Sequence, residues 1–223
     1  ASYNSEWESN VAIGNKAAYS NTTGNFKTVL GTAALYTDDE GNQTTAIGHN
    51  AMYSQNMASS TTTANVGVGH KVGYYNVTGT YNTWLGYQAG LGASGQSNSN
   101  NVGIGYSALT SITTGASNVA IGSGAGDAIT TSAGNVVVGD GALGAATTSP
   151  SNVAIGYRAL TTTNDTGGSF YGRNVAIGYN AATALTTSNR GTFIGYNAAY
   201  QLTTGGDTLA IGNEALGSVT TGE

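Results

Sequence analysis

The sequence predicts an all-β protein, a parallel β-solenoid (β-roll) of about twelve 17-residue turns, on three observations. First, the string Asn-Val-Ala-Ile-Gly stands at residues 10–14, 118–122, 152–156 and 174–178. Looser copies ending at Gly31, Gly48, Gly69, Gly86, Gly105, Gly139, Gly195 and Gly212 bring the number to twelve. Second, the steps between the final glycines are 17, 17, 21, 17, 19, 17, 17, 17, 22, 17 and 17 residues, so every departure from 17 is an insertion. Stacked repeats show this pattern, each insertion forming a loop outside the stack. Third, the apolar residues of each copy are spaced by two. Gly, Thr, Asn and Ser are also too frequent for helix.

Each turn is numbered here from its final glycine as position 0. Position −1 is Ile, Leu or Val throughout, and −3 is mostly Val, with Thr28, Thr45, Thr83, Thr192 and Leu209 as the other residues. In a strand these two positions share a face. Their aliphatic character assigns that face to the core. Position −2, small except at Trp84 and Phe193, then faces outward, and those two aromatics become candidate contact residues. Position +3 is Ala in eleven turns, with Val72 the exception, which implies a close approach to the opposite wall. The glycine at 0 implies a positive φ or no room for a Cβ. Thr-Thr pairs at +8 and +9, such as Thr113 and Thr114, are often followed by Gly and read as the turn that closes the coil. Twelve such turns make a rod of about 55–60 Å.

Composition excludes several function classes. Charged residues are 8% of the chain, against roughly 25% in ordinary soluble domains. The net charge is −5, and the six basic residues are scattered, so nucleic-acid binding has no electrostatic footprint. No apolar run approaches the roughly 18 residues of a membrane span, and no signal-peptide pattern opens the chain. The absence of cysteine excludes disulfides and thiolate metal sites. No catalytic constellation is visible, and no cofactor or metal is expected. Residues 1–9 read as a leader or docking segment, and residues 10–223 as a single solenoid domain. Neither end of the repeat array carries an evident cap.

The string Asn-Val-Ala-Ile-Gly-Tyr-x-Ala-Leu at residues 152–160, with the recurrent Thr-Thr-Gly, resembles the head repeat of YadA-type trimeric autotransporter adhesins. It is closer still to the 17-residue repeats of bacteriophage tail-fibre and related virion proteins. The YadA head has the shorter period. The resemblance implies a left-handed parallel β-roll, commonly trimeric, on a cell or virion surface.

The candidate sites follow from the columns. Position +1 holds Tyr87, Tyr106, Tyr157, Tyr179 and Tyr196, a row able to contact a receptor, a glycan or a partner chain, or simply to stack as a ladder. His49 and His70 share that column. They read as ladder members more readily than as a metal pair, although Asp140 occupies the position in a later turn. Asp38, Asp39 and Glu40 concentrate acid in one turn, read as solvated rather than calcium-binding. Residues 122–126 mimic a phosphate-binding glycine loop but lack the following helix. The three long turns cover residues 56–63, 92–100 and 161–173. The last holds Asn164, Asp165, Phe170, Tyr171 and Arg173, of which Phe170, Tyr171 and Arg173 are candidate receptor contacts.

The leading functional expectation is a non-enzymatic structural rod of an extracellular or virion fibre, a tail fibre or adhesin that gives reach and presents a binding surface. A trimer is the expected homo-oligomer. A self-assembling head-to-tail extracellular filament is the first alternative, since an open sheet edge invites another chain. An ice-binding β-solenoid is the second, although adjacent Thr residues in a strand point to opposite faces.

Overall fold

The computed structural model describes residues 9–162 and 172–222. Each of the twelve turns contributes one three-residue strand, from Val11–Ile13 to Leu209–Ile211, and the twelve form one parallel sheet in chain order. Among the described residues there is no helix. Register is constant along the stack, as in Val119↔Val136, Ala120↔Val137 and Ile121↔Val138. It also holds across the three long turns, where Thr45 pairs with Val66, Thr83 with Val102 and Val153 with Val175. The insertions therefore leave the stack undisturbed. Near the C-terminal end, Thr187–Asn189 pairs in parallel with Thr204–Gly206 on another wall of the coil.

Backbone geometry explains why glycine recurs at position 0. Gly122 has φ +138°, and a Cβ there would lie 2.6 Å from the Gly139 carbonyl oxygen. Both expected causes thus act together: a left-handed backbone, and stacking too close for any side chain. Non-glycine residues also enter the left-handed region at +2, +4 and −5, as at Ser107, Leu109 and Ser117. These bends wrap 17 residues around a narrow core. The Ala125 N–H donates to the Gly122 carbonyl at 3.4 Å, and this +3 to 0 contact recurs along the rod.

The parity of the strands is the reverse of the one expected. Position −2 points inward, and −1 and −3 point outward. Val29 is fully buried while its neighbour Leu30 is 44% exposed. Alternation establishes that −1 and −3 share a face but not which face that is. A 17-residue coil has too little interior for two aliphatic columns. It fills instead with small −2 residues, the +3 alanines, and larger residues at +4 and +7, such as Leu109, Leu143, Ile112 and Ile129.

Trp84 and Phe193 are accordingly core residues with no exposure, not contact residues. Room for the indole is made by glycine. Gly67 and Gly103 flank Trp84 in the adjacent strands. A Cβ on Gly73 or Gly103 would stand 2.9 or 2.7 Å from the ring. Large and small residues alternate along the column because interiors are close-packed.

Candidate functional site: aromatic ladders and a buried polar seam

Constant register carries each column of the sequence into a straight row on the rod. At +1, His49, His70, Tyr87 and Tyr106 stack with ring centroids 5.2, 5.1 and 5.4 Å apart. Ser123 and Asp140 interrupt the row, and Tyr157, Tyr179 and Tyr196 resume it at 5.0 and 5.4 Å. All five tyrosines are exposed. The two histidines are ladder members, as the sequence suggested. The His70 pKa is lowered, first by desolvation and then by the charges of His49 and Lys71.

A second ladder at +5 was not anticipated. Tyr19, Tyr36, Tyr53 and Tyr74 stack at 5.0, 4.9 and 5.1 Å. Its signal was present in the sequence as tyrosine at one offset in four consecutive turns. The ammonium of Lys16 lies 5.9 and 5.8 Å from the Tyr19 and Tyr36 rings, and that of Lys71 lies 5.7 Å from Tyr74. The Arg158 guanidinium sits 5.4 Å from the Tyr157 ring. In both ladders the ring faces cover one another, so each row presents ring edges and hydroxyls, bordered by Lys16, Lys71 and Arg158.

Of the long-turn candidates, Phe170 and Tyr171, together with Asn164 and Asp165, lie outside the described residues. Arg173 is exposed. In the threonine column at +8, hydroxyls donate to the carbonyl of the next turn, as Thr113 to Thr130 at 3.0 Å and Thr203 to Thr220 at 2.8 Å. Those donors are engaged within the rod. Residues 122–126 lie in a strand-to-turn junction with Gly122 as the stacked glycine.

Position −4 forms an interior amide ladder. Asn82, Asn101, Asn118, Asn135, Asn152 and Asn174 are all buried. From Asn82 to Asn152 each places its side-chain oxygen against the backbone N–H and amide of the next, and the Asn174 oxygen accepts from Gly191 N at 2.9 Å. Asn118 Oδ1, for example, accepts from Asn135 N at 3.0 Å and from Asn135 Nδ2 at 3.0 Å. The Asn118 amide in turn donates to the Ser132 carbonyl at 2.9 Å.

Toward the N-terminus the ladder residue is Asn65, then Thr44, then Lys27, and position +7 becomes Gln55, Asp38 and Asn21. These side chains form a buried seam. Lys27 Nζ lies 2.8 Å from Asp38 Oδ2, with the two side chains 1% and 0% exposed. Gln55 Nε2 donates to Asp38 at 3.1 Å and to the Thr44 hydroxyl at 3.0 Å. Asn65 Nδ2 donates to Gln55 Oε1 at 3.0 Å. Asp38, expected in a solvated turn, is therefore an interior residue. Its position is +7, a core column, and Lys27 supplies the counter-charge that burial of a carboxylate requires.

No protein-family model matches the chain, and neither a curated protein nor a solved structure does.

Proposed function

We propose that this chain is a non-enzymatic structural rod of an extracellular or virion fibre, a tail-fibre or adhesin segment that assembles with copies of itself. The observation that carries the reading is the outward face of the sheet. Positions −1 and −3 hold only aliphatic residues and threonine in all twelve turns, with no charge among them. Val11, Ile13, Leu30, Leu85, Ile121, Val136, Leu209 and Ile211 are each more than a third exposed. Twelve strands at about 4.8 Å spacing, two columns wide, make a ridged strip of roughly 500 Å². Strips of that size on soluble proteins mark interaction sites. A second copy of the same chain presents ridges at the same spacing, so its columns interdigitate along the full length of the strip. The resemblance to trimeric adhesin heads favours three chains.

The aromatic ladders lie off this strip and, with the long turns, serve in this reading as the surface offered to a cell-surface receptor or glycan. Mass in solution across a concentration series tests the assembly. A fixed multiple of the chain mass, reduced to one chain by Ile121→Glu with Val138→Glu while the β-sheet circular dichroism persists, is expected. A monomer at every concentration overturns self-assembly. Growth without limit replaces it with the head-to-tail filament.

A further inference from the structure

We propose that Lys27 and Asn21 form an intramolecular isopeptide bond inside the coil, with Asp38 as the acid–base group. The three side chains that such a reaction needs meet in one dry site. Lys27 Nζ lies 2.5 Å from Asn21 Oδ1 and 2.8 Å from Asp38 Oδ2. Lys27, Asn21 and Asp38 are 1%, 5% and 0% exposed. The contact with Oδ1 holds the amine beside the Asn21 carboxamide, where the roughly 3–3.5 Å separation of a near-attack geometry is within reach.

The surroundings hold each partner in place. Asn21 Nδ2 donates to the Gly24 carbonyl at 3.1 Å, which orients the carboxamide. Gln55 Nε2 and the Met57 N–H donate to the two oxygens of Asp38 at 3.1 and 3.3 Å. Gly24 and Gly41 wall the site. A Cβ on Gly24 would collide with the end of the Lys27 chain, and one on Gly41 would lie 2.7 Å from both Asp38 oxygens. Desolvation lowers the Lys27 pKa, against the opposing pull of Asp38, and so favours the nucleophilic neutral amine.

The step balances without any co-reactant. Proton transfer within the ion pair leaves Lys27 as the free amine and Asp38 as the acid. The Nζ lone pair attacks Asn21 Cγ, and a proton from Nζ passes to the carboxyl group as Asp38 delivers its own to Nδ2. The Cγ–Nδ2 bond then breaks, ammonia leaves, and a secondary amide joins Cγ to Nζ. Replacing a buried ion pair by a neutral amide also removes the burial penalty of two charges.

The test is mass spectrometry of the purified full chain. The expected whole mass is that of the sequence less one ammonia. Trypsin is expected not to cleave after Lys27, because that side chain is acylated, and fragmentation is expected to place the link between Asn21 and Lys27. A succinimide at any asparagine loses the same ammonia, but mild alkali hydrolyses it while the isopeptide survives. Asp38→Asn is expected to restore the full mass and a Lys27 amine that reacts with acylating reagents in denaturant. A wild-type chain of full mass, with Lys27 reactive once denatured, overturns the proposal whether or not the variant folds. A deficit that alkali removes overturns it too.

Discussion

The two halves of the rod fill the same interior column in different ways. In the turns that hold Ile112, Ile129, Ala146, Leu185 and Leu202 at +7, the column is apolar, and the asparagine ladder at −4 runs beside it as far as Asn174, giving way to Gly191 and Thr208. In the N-terminal turns +7 carries Asn21, Asp38, Gln55 and Asn76, facing Lys27, Thr44, Asn65 and Asn82 at −4. The backbone is unaffected, since strand pairing keeps one register through both halves. The solenoid therefore specifies geometry through its glycines and left-handed bends and leaves the chemistry of its interior open. Polar pairing substitutes for apolar contact only where each group finds a partner.

The sharpest way to break this comparison is to unbalance the polar half. Asp38→Ala leaves the Lys27 ammonium buried without a counter-charge. It is expected to destabilise the rod by about 3–5 kcal/mol, read as a lower urea midpoint. Lys27→Met combined with Asp38→Leu is expected to recover the part of that loss that comes from the unpaired ammonium, because the column accepts apolar residues elsewhere. In the apolar half, Ile129→Ala opens a cavity and is expected to lower stability by about 2–4 kcal/mol in the same assay.

Smaller effects sharpen the picture. Asn118→Ala removes the acceptor used by Asn135 N and Nδ2, and the donor received by Ser132 and Asn101. An expected loss of about 1–3 kcal/mol follows from the unsatisfied groups left inside, with accelerated amide hydrogen exchange centred on those turns. The histidine pair adds a pH dependence. His70 titrates below its ordinary 6.5 in the folded chain, so the unfolded chain takes up the proton first as pH falls. Stability is then full above pH 6.5 and declines as acidification proceeds through the lowered folded value. Thermal melts of wild type and His70→Tyr between neutral and mildly acidic pH are expected to diverge only on the acid side.

Period, strand position and stacking were legible because a solenoid turns sequence offset directly into spatial rows. Tyr157, Tyr179 and Tyr196 could be placed in one ladder from spacing alone. Strand parity was not legible. Three residues alternate equally well either way up, and the deciding quantity, the interior volume of a 17-residue coil, is a property of the closed turn. Trp84 and Phe193 were misplaced for that reason, although the glycines at 67 and 103 on either side of Trp84 were a usable clue. The Lys27–Asp38 seam escaped because the repeat was read as an average over twelve turns, and a column that changes character halfway disappears in an average.

Pairing between successive turns sets how the rod responds to force. Every inter-strand hydrogen bond joins one turn to the next, along the long axis. Tension applied end to end therefore loads these bonds one turn at a time rather than all together. Each 17-residue turn that lets go releases about 50–60 Å of chain. A rod built this way yields in steps and absorbs work over a long extension.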